Sequence, residues 1–463
     1  MSGLLALLQQ SAMSLQAQQS ASSTASHNLS NANTVGFSRQ RADLAAVTPA
    51  ERVAGSFLGR GAMLFAVSQA RDRFIEAQIP AALGRESKSG TEAQTLKSVT
   101  ALDVNNGLAP AISEFYTQLR ALAQNPSSMS YRSGAVSAAN QLALTFNRTA
   151  TAIEAARTGI DSGIEGRLGE VNQAAQEVAR LNTAIRDARA SGAEPNDLLD
   201  ARLRLGDQLA TMMGATPIAN KEGDLNLVLP DGTALVTAGR ASTFSVLPNP
   251  ANSGLAQIFV QKLDGTSRAP LSGAPGGEVG GLLSARDGAL QKASDELDQL
   301  AFDFTGVVNT ASQAGFALDG STGRDLFSGV TGVTGAARAM KLEAAIGADP
   351  ALFPGGNSAA PGDGTAVQAI IGTGDLTLSS GTTVSGALAR ITSDFGATAS
   401  RVATMNEGDL AITGQLQSMR ESASGVSIDE ELVNMQKAQR AYEAVTRVIK
   451  TADEMLQTLM SLK

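Results

Sequence analysis

The sequence predicts a mainly α protein with an inserted β domain. Paired N- and C-terminal coiled-coil helices would frame a long-helix bundle domain and a small, discontinuous β-rich domain. Three observations carry this. Seven-residue rows open and close the chain: Leu8, Leu15, Ser22 and Leu29 at one end, and Met435, Tyr442, Ile449 and Leu456 at the other, with Ala438, Val445, Ala452 and Leu459 three positions on. Rows three and four apart form one seam on a helix, and a period of seven keeps that seam facing a partner helix. Second, aromatic residues make up 4 % of the 463 and tryptophan is absent, so the cores must be built from Leu, Ile, Val, Met and Ala, which suits helix on helix. Third, the apolar period changes from helical to alternating after residue 216.

In chain order, residues 3–33 read as one helix with a thin apolar face: Leu4, Leu5, Leu8, Ala12, Leu15, Ala25 and Leu29 among Ser and Gln. Such a helix is marginal alone. Asn31, Asn33 and Gly36 tolerate left-handed backbone and suit a helix end followed by a turn. Short apolar runs between glycines over 50–75 read as a hairpin or irregular connection. Helical spacing then returns, with Ile112, Phe115, Leu119 and Leu122 on one face and a stop at Asn125-Pro126. Residues 133–158 form a further helix. Residues 161–213 form a helical hairpin, with Ile164, Val171, Val178 and Ile185 before the SGAEPND loop and Leu198, Leu205 and Met212 after it.

Within DLNLVLPDGTALV, Leu225, Leu227 and Leu229 alternate, Asp231-Gly232 marks a hairpin turn, and Ala234 and Val236 resume the alternation. A helix over 280–312 carries Leu283, Leu290, Leu297, Phe304 and Ala311 at seven-residue steps. The glycine-rich stretch beyond it is expected to complete the β domain. A long helix over 383–422 carries the row Val384, Ile391, Thr398, Met405, Ile412 and Met419, expected to pack inside the subunit. Gly425 ends it, and Ser427 caps the last helix with Glu430 three residues on. The domains are then 1–48 with 425–463 (terminal coiled coil), 49–215 with 273–315 and 365–424 (helical), and 216–272 with 316–364 (β-rich).

Composition excludes much chemistry. A net charge of −8 argues against a nucleic-acid surface. Absent cysteine excludes disulfides, thiolate metal sites and thiol nucleophiles. No run of about 18 apolar residues exists, so no membrane-spanning helix is expected. The N-terminus lacks a basic flank, and Gln9, Gln10 and Ser11 interrupt it too early for a signal peptide. His27 is the only histidine and reads as a capping or surface residue. Asp197 with Asp200, and Asp295 with Glu296, read as solvated helix faces. No phosphate-cradling GxxxxGK loop occurs. No catalytic, cofactor or metal residue is assigned.

The segment NLSNANTVGFSRQ resembles the N-terminal signature of the bacterial flagellar axial proteins, the family of rod, hook and hook-associated proteins. Asn28, Asn31, Asn33, Thr34, Gly36 and Phe37 carry the match. Val35 stands where the family often has Pro, and Phe37 where it often has Tyr. The closing segment GVSIDEELVNMQKAQRAYEAVTRVIKTADEMLQTLMSLK resembles the family's C-terminal signature through Asp429, Glu430, Glu431, Gln439, Ala441, Tyr442, Thr451, Ala452 and Met455. Ser38-Arg39-Gln40, the length and the helical hairpin are more similar to the hook-associated branch than to rod or hook proteins. The middle helices fit in order and type, the β regions loosely, and the chain is shorter than well-known members.

The resemblance implies a structural subunit, not an enzyme, that forms the junction between hook and filament by self-assembly on the hook tip. Its partners would be copies of itself in a ring or helical layer, hook protein below, and a second junction protein or the filament side above. A cytoplasmic export chaperone would hold the C-terminal helix. No nucleic acid, membrane insertion or cofactor is implied, and the location is extracellular, reached without a cleaved signal peptide. The assembly interface would comprise Leu4, Leu8, Leu15, Leu29, Asn28, Asn31, Asn33, Gly36, Phe37, Arg39 and Gln40 with Met435, Tyr442, Val445, Ile449, Leu456 and Leu459. The rivals are a hook or distal rod protein, a wall hydrolase carried on the flagellum, and a secreted coiled-coil adhesin or effector.

Overall fold

The structure, a computed structural model, describes residues 2–47, 52–53, 56–57, 61–99, 107–218, 220, 223–263, 265, 267–360 and 362–461. Helix α1 (Ser2–Ser30) ends three residues before the expected limit. The Asn31 side chain donates to the carbonyl of His27 and its backbone N–H bonds the same carbonyl, so the last turn closes there. The chain then turns through Gly36 at φ +75°. Strand β1 (Gln40–Ala46) starts ten residues before the expected hairpin. It leads through the short β2 (Arg52–Val53) and β3 (Ser56–Phe57) to β4 (Ala62–Gln69), with which it pairs antiparallel from Gln40↔Gln69 to Ala46↔Ala62. The boundary expected at 48/49 lies outside the described residues.

Helix α2 (Arg73–Ser98) starts on Asp72, whose carboxylate accepts from the N–H groups of Phe74 and Ile75. Helix α3 (Leu108–Gln124) stops at Asn125-Pro126 as expected. Helix α4 (Met129–Ala190) then runs unbroken for 62 residues, where the sequence suggested one helix to 158 and another from 161. Ile153, Ile160, Ile164, Leu168 and Val171 are all buried, so one apolar face continues across the apparent break. Gly159 has nothing near its missing Cβ, and no contact forces the chain to turn there. After a tight loop, α5 (Asn196–Met213) returns alongside α4.

A four-stranded antiparallel sheet follows, made of β5 (Thr216–Ile218), β6 (Asn226–Val228), β7 (Ala234–Thr237) and β8 (Arg240–Ala241) in that order. The Asp231-Gly232 turn is where the sequence put it: the Leu229 N–H donates to the Thr233 carbonyl, and Leu227, Leu229 and Val236 are buried. Strands β9 (Thr243–Pro248), β10 (Ala256–Gln261) and β11 (Arg268–Pro270) make a three-stranded sheet with β10 central. Both sheets lie along the second half of α4. There Asn172 bonds the backbone of Phe244, Asn182 bonds Leu225 and Ala238, and Asp161 accepts from the Ala256 N–H.

The helix expected over 280–312 is α6 (Gly277–Ser284) and α7 (Gln291–Gln313), joined without a break by a π-helical turn over Ala285–Leu290. Leu290, Leu297 and Phe304 of its seven-residue row are buried. Residues 316–360 hold β12 (Phe327–Ser328), α8 (Ala336–Ala339), β13 (Lys341–Leu342) and α9 (Ala344–Ala348). The expectation that this stretch adds strands to the sheets over 216–272 is corrected here. The β12–β13 ladder joins neither sheet. It packs on the first half of α4 and on α7, where Phe327 closes an aromatic cluster with Phe115 and Phe304, and Phe146 stacks on Phe304. Arg132, fully buried on α4, donates to the carbonyls of Pro126, Ala351 and Phe353 and pins the stretch down.

Helix α10 (Thr365–Gly372) covers α3, and α11 (Val384–Ser424) runs antiparallel along α2, as Glu92 near Arg401, Ser89 bonded to Asp409 and Glu76 bonded to Arg420 show. Its row does not pack inside the subunit throughout. Val384 and Ile391 are buried, but Met405, Ile412 and Met419 are 54, 47 and 44 % exposed. Along that half α11 turns Val402, Thr413 and Arg420 inward instead. Helix α12 (Ile428–Ser461) closes the chain and lies on α1. The mainly α architecture with an inserted β region is the one the sequence predicted.

Candidate assembly interface and its joint

Helices α1 and α12 pair antiparallel. The end of α1 meets the start of α12 at Asn28 and Glu431, and a groove farther along is lined by Gln18–Ser30 residues on one side and by Met435, Ala438, Gln439 and Tyr442 on the other. Apart from Asn28 and Glu431, the buried residues of the two helices are small: Ser11, Ala17 and Ala25 of α1 and Ala438 and Ala452 of α12. Leu4, Leu8, Leu15, Leu29, Met435, Val445, Ile449 and Leu456 are only half-buried around them, and Tyr442 is exposed. The side chain of Leu459 lies outside the described residues. Leu432, Val433, Val448 and Met455 point to solvent from the rest of α12. One chain therefore covers only one flank of its own C-terminal helix.

The segment between α1 and β1 is the joint to the helical domain. Asn28 is 0 % exposed, and its carboxamide oxygen accepts from the Gln40 N–H at 2.9 Å. Its Nδ2 donates to the Gln40 carbonyl at 2.7 Å and to Glu431 Oε2 at 3.1 Å. The other Glu431 oxygen accepts from Arg39 Nε at 2.8 Å, and Arg39 Nη1 reaches Glu430 at 2.9 Å. The Arg39 N–H donates to the Ser424 carbonyl at the end of α11. Both oxygens of the buried Glu431 carboxylate thus meet a donor from the signature segment, as a buried charge requires. Of the remaining signature residues, Phe37 meets His27 edge to face, Asn31 closes the helix and Asn33 is exposed.

Two carboxylates on the first turns of α5 hold the other side. Asp200 is buried, accepts from the Ser38 N–H and pairs with Arg71, which also donates to Ser38 Oγ. Asp197 accepts from Gln40 Nε2 at 3.0 Å and lies 3.2 Å from His27 Nε2. The reading of these two as a solvated face holds for Asp197 and fails for Asp200. Asn196 adds a bond to the Val67 carbonyl of β4, and Gln69 bonds the Asn196 carbonyl in return. Sequence reasoning missed Arg71, Asp200 and Glu431 as parts of the joint. The available signals were the place of Glu431 in the C-terminal signature and the spacing of Asp197 and Asp200, which puts both on one helix face. Ser427 caps α12 as expected, but Glu430 turns to Arg39 instead of back to the cap. No group of His, Asp or Glu among the described residues could hold a metal ion, and no helix among them is long and apolar enough to cross a membrane.

Residues 94–327, just over half of the chain, match the family described as the flagellar hook-associated protein FlgK helical domain, and residues 417–462 match the flagellar basal body rod FlgEFG protein C-terminal family. Flagellar hook-associated protein 1 of Salmonella typhimurium is 28 % identical over 319 residues, which span 68 % of this chain and 58 % of that protein. The Bacillus subtilis protein of the same name is 27 % identical over 96 % of both chains. The flagellar hook junction protein FlgK from Burkholderia pseudomallei shares the fold at a TM-score of 0.67 and 17 % identity, covering 75 % of this chain and all of that one. With just over half of its length matched, the chain belongs to the FlgK family of flagellar hook-associated proteins.

Proposed function

We propose that this chain is a structural subunit of the bacterial flagellum that forms the junction between hook and filament by self-assembly on the hook tip. The observation that carries the reading is the terminal pair: two thin-seamed helices closed at Asn28 and Glu431, with most of α12 left uncovered, at the foot of a helical domain of the hook-associated family. An uncovered helix with a seven-residue repeat is completed by further helices, which copies in a ring or helical layer would supply. In this reading the terminal helices, from Leu4 to Gln40 and from Met435 to Leu459, form the inner tube around the export channel. The helical domain forms the next shell and the β region faces outward.

Hook protein would lie below the layer, and a second junction protein or the filament side above it. The subunit would leave the cell through the flagellar export apparatus without a cleaved signal, its C-terminal helix held by a cytoplasmic chaperone until then. No catalytic or cofactor role is part of the reading. Deleting the gene tests it. Hooks without filaments, and flagellin lost to the medium, are expected. Loss of the hooks themselves would select a hook or distal rod role, and normal filaments would leave a secreted adhesin or effector.

A further inference from the structure

The apolar seam between α1 and α12 defines its own alignment only weakly, through the larger Val445 and Leu459 that a slip of seven would bring to the buried places of Ala438 and Ala452. Sliding α12 by seven residues, about 10 Å at 1.5 Å per residue, moves Val445 onto the place of Ala438 and Ile449 onto that of Tyr442. Apolar residues then replace apolar residues from Met435 to Ala452, with Lys463 on the place of Leu456 as the exception, and α1 offers mostly Ser, Gln and Ala against them. Area burial barely distinguishes such alignments. The polar contacts do. Asn28 is the most deeply buried polar residue of α1, and its Nδ2 has one acceptor on α12, Glu431. In either slipped alignment Glu431 leaves Asn28 and Arg39: the buried amide keeps only the Gln40 carbonyl for its two N–H groups, and the guanidinium loses its carboxylates.

We propose that Asn28, Arg39 and Glu431 are the register-determining residues of the terminal helix pair, with the apolar seam supplying affinity and these three supplying the alignment. Single buried polar residues in helix seams act in this way at some cost in stability. Because Asn28 and Arg39 both sit beside Gln40 in one chain, the same contact ties α12 to its own α1. This inference concerns the pair within one chain, so its outcome does not depend on where in the flagellum the subunit sits.

The absence of cysteine makes the test clean. Ser22→Cys with Ala438→Cys, two positions lining one groove, reports the native alignment, and Ser22→Cys with Val445→Cys reports a slip of seven. Each pair is placed in the full chain, with and without Arg39→Met/Glu431→Met, which removes both charges and leaves neither unpaired. The chain is concentrated until far-UV circular dichroism registers the terminal helices, then oxidised, and only cross-links within a single chain, which migrate as monomer on a denaturing gel, are counted. Without the lock substitutions only the native pair should cross-link. With them, the slipped cross-link should rise by about tenfold or more while helix content is kept. A slipped yield unchanged by the substitutions, both cross-links in the parent chain, or neither in any variant would each overturn the proposal.

Discussion

Arg420→Met puts the packing of α11 on α2 and α5 to a quantitative test. Arg420 Nε and Nη2 donate to the two oxygens of Glu76 on α2 at 3.0 and 2.6 Å, and Nη1 donates to Asp207 Oδ2 on α5 at 2.9 Å. All three side chains are less than one-fifth exposed. Burial holds the Asp207 carboxyl above its ordinary value even with Arg420 beside it. Removing one partner of a buried ion pair costs about 3–5 kcal/mol, and the residual exposure here places the loss at the lower end, about 3 kcal/mol. A urea midpoint lower by roughly 1 M would follow for a slope near 3 kcal/mol per molar.

The sign of the pH dependence follows from Asp207. Without Arg420 its folded-state pKa rises further above the unfolded value of about 3.9. A group raised in the folded state contributes stability below its unfolded pKa and loses it as pH rises through the folded one. The deficit of the variant should therefore be full near neutrality and shrink as the pH falls toward about 4. Adding Glu76→Gln and Asp207→Asn should recover a large part of it at neutral pH. A loss under about 1 kcal/mol, or one that does not change with pH, would refute the reasoning.

Three further outcomes are expected. Gly36→Val should impair incorporation into flagella, scored by motility, while the secreted central part stays folded. The new Cβ would fall 2.5 Å from Arg204 Cγ, which can move aside, but φ +75° costs a β-branched residue on the order of 1–2 kcal/mol or more. Limited proteolysis of dilute subunit should remove roughly 1–45 and 425–463 first. Fixing each residue of α1 costs about 1–2 kcal/mol, against about 1.5–3 kcal/mol returned by a fully buried leucine, and the leucines of α1 are only partly covered. Slow amide exchange throughout both terminal helices at low concentration would contradict this. Deleting 217–272 with a short linker should leave export and assembly partly intact, whereas deleting 316–362 should abolish cooperative unfolding, because Phe327 and Phe353 leave the core with it.

What the sequence disclosed was local. Gly36 after an Asn-rich helix end, Asp231-Gly232 between alternating leucines, and the stop at Asn125-Pro126 are all decided by a few neighbouring residues. The unbroken α4 was not legible, since Gly159, Asp161, Ser162 and Gly163 resemble a break until the buried face spanning them is seen. Half of the row on α11 misleads for the converse reason: Met405, Ile412 and Met419 keep the spacing of a packed seam, but α2 meets the adjacent face. The rows of the terminal helices were visible as periodicity. The burial of Asp200 and Glu431 was not, because their partners Arg71 and Arg39 lie 129 and 392 residues away in sequence.

The unbroken α4 also has a mechanical consequence. Its last residue is six positions from Asn196, where α5 grips the joint, and its first lies beside the stretch held by Arg132 at the other end. At 1.5 Å per residue the helix is a beam about 93 Å long, so each degree of rotation at the joint sweeps the far end by about 1.6 Å. Angular error near Asp200 is thus magnified along the beam while the terminal pair hardly moves. In averaged images of assembled subunits, a loosened joint would leave the terminal helices sharp and blur the molecule progressively toward Met129.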